Sequence, residues 1–406
     1  MIQTIKMAWR DLGRNRRRSF FSALALGIGL SLLLLVAGVL NGEMHGSMDT
    51  AIALQSGHLQ VQAKTYNVDK LSLDWKDLIE DPAQMAQQVA TLAPVKAATP
   101  RLFVSGIVGS GEQSAGVRIY GVDTTSAANA PYKDGLIAGS YFNNDDRDGV
   151  LMGQELATKL GLNAGDTFNL LVNTSNGDVN EQLFTIRGIY STRTPPFDEI
   201  TLLMPLAKAQ AISGAGNRAS TVFVLLNDRD QTDTVANALQ SSSQYQVKTY
   251  AQLNDVLVQT EALSRSYMIF IYLIVLAITA TVIVNTLIMA VFERTREIGI
   301  LTSLGMKSRR VMTMFFAESA LLAVAGIVIG LILGGVMVWY FTTYGFFIGN
   351  MGVNGIMLGE RIYARLTLND AVSLSLLALI VTLVAALYPA LLAARMEPVI
   401  ALRGGE

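Results

Sequence analysis

The chain of 406 residues contains no cysteine and two histidines, and only 16% of its residues are charged. Without cysteine there are no disulfides, thiolate metal sites, cysteine nucleophiles or lipoprotein acylation site. A metal centre around His45 or His58 would have to draw mostly on carboxylates, so none is expected. No run fits GxxxxGK[ST]. The nearest stretch, Gly109 to Gly116, lacks the lysine and the helix-opening context and reads as a turn between strands. The chain is therefore not expected to bind ATP through a P-loop of its own. GxSxG and HExxH are absent, and no apolar run holds the acidic pair of an intramembrane protease. The net charge of -1 argues against a nucleic-acid partner, which needs clustered Lys and Arg. No catalytic, cofactor-binding or metal residue is nominated.

What is present is apolar. Hydrophobic residues make up 51% of the chain and its mean hydropathy is +0.39, a membrane composition. Residues 1–18 carry Ile2, Ile5, Ala8, Trp9 and Leu12 at helical spacing, with Arg14, Arg16, Arg17 and Arg18 following, and read as an amphipathic interfacial helix. The run Phe20 to Leu40 is long enough to cross a ~30 Å hydrocarbon core, whereas signal h-regions run about 7 to 15 residues. It reads as an uncleaved first span, 19–41, inserted with its N-terminus inside by the arginine run. Three further spans are expected at 266–292, 315–341 and 371–390. The third carries Gly326, Gly330 and Gly334 at four-residue spacing, a face suited to close helix packing. In the second, Thr279, Thr281, Asn285 and Thr286 either line a cavity or hydrogen-bond between helices. Arg294, Arg296, Lys307, Arg309 and Arg310 mark the loop at 293–314 as internal, while the outer loop at 342–370 has only Arg361 and Arg365 as basic residues. Both termini, including the tail at 391–406, then lie in the cytosol.

Residues 42–265 are polar and turn-rich, and read as a water-soluble domain on the outer side. Strand-like His58 to Gln62, a helix opened by Pro82 and strand-like Arg101 to Val108 make one half. Thr221 to Leu226, a helical Asp230 to Leu239 and Tyr245 to Tyr250 make the other. The fold class expected is an α-helical membrane protein with four spans plus a large α+β extracytoplasmic domain, in which split βαβ porter-like halves flank an inserted β-rich lobe at about 116–215. Ser191 to Glu199, with Pro195-Pro196-Phe197, is either a partner-contacting loop or a rigid turn.

Glu293 to Met312 is too polar for lipid and too regular for a loop, with Ile298, Leu301 and Leu304 repeating between charged ends. It reads as one short helix that docks on a partner. Glu293-Arg294-Thr295-Arg296-Glu297-Ile298-Gly299-Ile300-Leu301, then Leu304-Gly305 and Lys307-Ser308-Arg309-Arg310, resembles the signature cytosolic loop of FtsX/MacB-type (type VII) ABC transporter permeases. Ala317-Glu318-Ser319, Tyr388-Pro389-Ala390, Ala393-Ala394-Arg395, Pro398-Val399, Ala401-Leu402-Arg403 and the N-terminal Trp9-Arg10 with its arginine run extend the resemblance to both ends of the chain. The absence of a fused ATPase and the size of the outer domain make it most similar to the lipoprotein-releasing permeases.

The resemblance implies a bacterial inner-membrane subunit paired with a second permease, a copy or a paralogue, and with two copies of a separate ATPase that binds ATP and magnesium. It implies mechanotransmission. Closure of the ATPases would push on a coupling helix formed or oriented by Glu293, Arg294, Arg296, Glu297, Ile298, Gly299, Leu301, Leu304, Gly305, Lys307 and Arg309. A lipoprotein or other hydrophobic substrate would enter between the first and second spans and leave on the outer side. The carrier-recruiting members have a long hook where Asn173 to Asn180 here reads as a tight hairpin, which argues against direct recruitment of the carrier by this subunit, while a periplasmic carrier or adaptor stays among the partners the resemblance allows. A non-transporting transmitter that activates a cell-wall hydrolase, and an efflux permease for small hydrophobic molecules, remain alternatives.

Overall fold

The computed structural model describes all residues except 1–6, 8, 9, 11, 15, 69, 143–147, 243–244, 305, 348–360 and 397–406. Most of the expected interfacial helix, the end of the C-terminal tail, the centre of the 342–370 loop and Gly305 thus lie outside the described residues. The chain divides into a helical unit (1–43, 261–346 and 362–406) and a sheet unit (44–260 and 347–361). Helices in chain order are α1 (Arg16–Ala51), α2 (Pro82–Ala90), α3 (Ala130–Asp134), α4 (Gln154–Leu160), α5 (Pro195–Asp198), α6 (Leu206–Ser213), α7 (Thr232–Ser242), α8 (Tyr250–Leu253), α9 (Asp255–Glu293), α10 (Thr295–Ser303), α11 (Ser308–Tyr344) and α12 (Leu368–Ala394). Strands are β1 (Leu59–Gln62), β2 (Ile79–Glu80), β3 (Val95–Ser110), β4 (Gln113–Val122), β5 (Leu136–Gly139), β6 (Gly149–Gly153), β7 (Thr167–Asn173), β8 (Val179–Tyr190), β9 (Thr201–Pro205), β10 (Arg218–Ala219), β11 (Thr221–Leu226) and β12 (Gln246–Thr249).

Among the described residues, four helices are long and apolar enough to cross a membrane: α1 with its terminal turn to Ser56, α9, α11 and α12. Each exceeds the run of apolar residues that marks it in the sequence. The backbone keeps its i to i−4 hydrogen bonds past the first charged side chain, because a helix end needs a cap rather than an apolar residue. For α12 the cap is explicit. Thr367 Oγ1 accepts from Asp370 N at 3.1 Å, while the Asp370 carboxylate accepts from Thr367 N, a capping box in the T-x-x-D spacing.

α1 is the centre of the helical unit. Leu30, Leu33, Leu34 and Ala37 pack with Leu276 of α9 and with Leu374 and Ala378 of α12, and Leu26 joins Ile283, Leu287, Leu322, Ala323 and Ala386. Its contact with α11 is made through glycine. A Cβ built on Gly326 would lie 2.6 Å from Leu26 Cδ2, one on Gly330 would lie 2.8 Å from Leu30 Cβ, and one on Gly334 would lie 2.8 Å from Leu34 Cδ1. The fit is reciprocal, since a Cβ on Gly27 would meet Ile329 Cγ2 at 2.7 Å. Small residues on both helices let the backbones close up, which is how membrane helices gain packing without a hydrophobic drive between them.

In the sheet unit the strands run β12-β1-β11-β3-β4-β9-β6-β8-β5, with β7 pairing both β3 and β8. The pairings β3–β4, β4–β9, β9–β6, β6–β8, β8–β7 and β7–β3 close a ring of six strands. A closed ring leaves no edge to template aggregation. Its filling includes Leu102, Val104, Ile119, Met152, Phe168, Leu170, Phe184 and Leu202. β3 belongs to two assemblies. Val95 to Arg101 pairs with β11 and Gly106 to Gly109 pairs with β7, while β4 holds the opposite edge. Beyond it, β12-β1-β11 forms an antiparallel extension covered by α2 and α7 through Ala86, Val89, Val235 and Ala236. The β-rich part expected at 116–215 as a separate lobe therefore shares the sheet and starts earlier, in β3. A 16-residue strand reaches past one set of partners to another, and only non-local pairing reveals that.

The turn from Asn173 to Val179 is a tight hairpin between β7 and β8. Ser191 to Glu199 is a rigid turn: Phe197 and Asp198 are buried, and Phe197 stacks on Tyr132 and meets the edge of Tyr120. Asp198 accepts from Thr192 N at 2.9 Å, Thr192 Oγ1 at 2.8 Å and Ser191 Oγ at 3.4 Å. Burial nevertheless outweighs these donors and pushes its carboxyl up to about 7.

Two outcomes are expected. Gly330→Leu drives a side chain into Leu30 and the Gly27 carbonyl, and is expected to destabilise the full chain by about 1–3 kcal/mol in thermal unfolding in detergent. Because the folded state raises the Asp198 pKa, its proton stabilises fully below about pH 4 and that contribution is lost as pH rises through about 7. Asp198→Asn imitates the protonated form, its amide donating to Thr192 Oγ1. The stability gap between pH 5 and pH 8 should differ between wild type and variant by about 1–3 kcal/mol, the wild type losing more at pH 8.

Candidate functional site at the break between α9 and α11

The segment expected as one helix from Glu293 to Met312 is two pieces. α9 ends at Glu293, Arg294 leaves helical geometry at φ −111° and ψ 14°, and α10 runs for nine residues from Thr295 to Ser303. α10 ends with Leu304 N donating to Ile300 O and Met306 N donating to Leu301 O, the 6→1 bond of a Schellman end. Such ends favour glycine between the two residues that donate, and the sequence has Gly305 there, itself outside the described residues. Lys307, Arg309 and Arg310 therefore belong to the start of α11 rather than to the short helix. Basic side chains at a helix N-terminus oppose the macrodipole, so helix stability does not account for them.

α10 has two different faces. Ile298 is buried with Val291, Val311, Phe315, Ala390 and Ala393, which knits the short helix to the ends of α9, α11 and α12. Gly299 is buried beside it, and Leu301 is half-buried. Facing away are Arg296, Ile300 at 46% exposure and Leu304 at 79%. The apolar repeat of Ile298, Leu301 and Leu304 thus does not share one buried side. The 3.6-residue period puts Ile300 and Leu304 in line with Arg296, with the C-terminal cap turning Leu304 outward.

Charge holds the break. Arg294 and Glu318 are both about 3% exposed, and Arg294 Nη1 lies 3.8 Å from Glu318 Oε2. Thr295 Oγ1 donates back to Val291 O at 3.1 Å, tying the first residue of α10 to the last turn of α9. On the surface Glu297 pairs with Arg14 at 2.7 Å and Glu293 with Arg18 at 2.6 Å. These pairs are exposed to differing degrees and are worth about 0.2–1 kcal/mol each. The acidic residues of the segment thus serve the N-terminal arginine run, while Arg296 stays outward. In the sequence Arg294 is one basic residue among five in the internal loop, and Glu318 stands in the Ala317-Glu318-Ser319 motif at the start of an apolar span. The signal for their pairing was that an acid in an apolar helix needs a partner.

The polar residues of α9 do not converge. Thr286 Oγ1 lies 3.0 Å from Ser22 Oγ of α1, and Thr279 faces Gly29, where a Cβ would sit 2.7 Å from its Oγ1. Asn285 is exposed on another side of the helix. The two threonines pack against α1, and Asn285 has no part in that contact.

Residues 19–242 match the family model of the MacB-like periplasmic core domain, and residues 269–398 match that of the FtsX-like permease C-terminal region. The chain belongs to the FtsX/MacB family of ABC transporter permeases. The permease is 25% identical to the lipoprotein-releasing system transmembrane protein LolC of Xylella fastidiosa, over 98% of each chain. It is 22% identical to LolE of Haemophilus influenzae, over 93% of this chain and 92% of that one. The macrolide export ATP-binding/permease protein MacB of Acinetobacter baylyi is 21% identical over 82% of this chain and 51% of its own length.

Removing one partner of the Arg294–Glu318 pair leaves the other charge in a dry site. Arg294→Met is expected to cost the permease about 3–5 kcal/mol, and the double variant Arg294→Met with Glu318→Leu to recover much of that loss. Thermal unfolding of the full chain in detergent reads the order.

Proposed function

We propose that this permease is the membrane subunit of a mechanotransmission machine in the bacterial inner membrane, with α10 as the point where a separate ATPase delivers its stroke. The observation that carries this reading is the two-sided helix. Ile298 and the Arg294–Glu318 pair anchor one face to the ends of three long helices, while Ile300 and Leu304 stand in water on the other. Exposed apolar side chains rimmed by Arg296, Lys307 and Arg309 fit a protein partner with an apolar pocket and an acidic rim. ATP and magnesium are bound by that partner, present in two copies, and a second permease completes the complex. Asn285, on the weakly buried α9, is the residue we assign to a cavity between permeases. Both termini and α10 lie in the cytosol, in keeping with the basic residues at this end of the bundle.

The outer unit receives the stroke. We read β1-α2-β3 and β11-α7-β12 as split βαβ porter-like halves, which the antiparallel order β12-β1-β11-β3 supports. The cargo is a lipoprotein or another hydrophobic molecule extracted on the periplasmic side, a reading supported by similarity over almost the whole length of the lipoprotein-releasing relatives. The short β7–β8 hairpin argues against direct binding of a carrier.

Leu304→Asp tests the input. The side chain is 79% exposed, so the fold should keep its unfolding temperature within about 2 °C. Affinity purification of the wild-type full chain is expected to bring down an ATPase, and the variant is expected to lose most of it. Equal recovery by both proteins refutes the assignment of α10.

A further inference from the structure

α1 does not end where its α-helical hydrogen bonds stop. It widens into a π turn over Ile52–Ser56, closed by Gly57 N donating to Ile52 O at 2.9 Å, and Gly57 at φ +63° hands the chain to β1. Inside this turn the Leu54 carbonyl accepts two side-chain hydrogen bonds. One comes from Arg101 Nη1 at 3.0 Å and one from Tyr132 Oη at 2.9 Å. Arg101 has no exposed surface, makes no ion pair among the described residues, and lies with its guanidinium carbon 3.5 Å over the Phe223 ring. Nη2 reaches the Ala128 carbonyl at 3.5 Å.

A dry guanidinium is costly unless something negative faces it. Here that is the carbonyl end of a long helix, where the aligned peptide dipoles sum to about half a negative charge, together with an aromatic face. Burial pulls the Arg101 pKa down, but arginine keeps its charge in proteins. Arg101 stands on β3, the strand shared by both parts of the sheet, and Phe223 stands on β11. One side chain therefore joins the last turn of α1 to two neighbouring strands of the outer sheet.

We propose that Arg101 is the fastening that makes the outer end of α1 and the outer sheet one rigid piece, and so a positioning residue for transmission. The transmission part rests on the function proposed above, whereas the fastening does not. Met48, Ala51 and Ile52 also pack on Leu257, but these apolar contacts allow sliding, while a charged hydrogen bond to one carbonyl sets register.

The chain's lack of cysteine makes the test direct. Spin labels at Gly46→Cys, where a Cβ meets nothing within 4 Å, and at exposed Ser114→Cys report the distance from α1 to the sheet by pulsed electron resonance on the full chain in nanodiscs. Arg101→Met is expected at least to double the width of the distance distribution, with Tyr132→Phe intermediate. Should Arg101→Met fail to fold, Arg101→Lys and Tyr132→Phe carry the measurement. Unchanged widths in folded variants overturn the fastening. For transmission, labels at exposed Thr313→Cys and at Ser114→Cys are followed with the co-purified ATPase and ATP. A wild-type ATP-driven change that falls at least fivefold in Arg101→Met, with ATP turnover retained, supports the role; an equal change in the variant overturns it. A wild type that shows no change refutes the mechanotransmission reading and leaves the fastening to the first measurement.

Discussion

The close approach of α1 to α11 is the constraint on which the helical unit depends. Between apolar helices in lipid there is no water to expel, so association rests on dispersion and on how near the backbones can come. Gly326, Gly330 and Gly334, interleaved with Leu26, Leu30 and Leu34 and answered by Gly27, set that distance over several turns. With α11 fixed, α1 is left as the shared neighbour of the other long helices, and half of its most apolar window is buried against 11% for α9. α9 is attached by leucine packing and by the Ser22–Thr286 contact, and most of its surface remains free for another surface to cover.

Each unit holds a buried charge with a specific partner. At the α10 end, Arg294 occupies the single non-helical position between two helices and meets Glu318 inside the packed ends of α9, α11 and α12. Beyond the other end of α1, Arg101 meets carbonyl oxygen and an aromatic face in place of a carboxylate. Such arrangements are poor sources of net stability but strong sources of register, since a buried charge displaced by one residue loses its partner outright.

The sheet unit solves a different problem. A 16-residue strand that pairs with β11, β7 and β4 joins a closed ring to an open extension without a linker. The ring and the extension keep separate apolar cores, so each is packed on its own while the backbone ladder runs through both. Aromatic residues Tyr120, Tyr132, Tyr190 and Phe197 fill the other side of the sheet and bury Asp198 among them. That burial, ahead of the nearby Glu155 charge, is what pushes the carboxyl up to about 7.

Local regularities were legible in the residues themselves. Four apolar runs, the glycine period on α11, the hairpin at Asn173 and the loop signature at Glu293–Arg310 each depend on neighbours a few positions away, where helical and strand periods act. Which side of α10 packs inward is not legible in that way. Ile298, Leu301 and Leu304 share a spacing, but the Met306–Leu301 cap decides that Leu304 points outward. The double pairing of β3, the closure of the ring through β7, the meeting of Arg294 with Glu318 and the stacking of Arg101 on Phe223 join residues from about 25 to more than 100 positions apart. Sequence alone determined the four long apolar helices, the hairpin at Asn173 and the family. Which element closes on which, and therefore which charges are dry, was decided by tertiary structure, because burial belongs to the assembled surface and not to any stretch of chain.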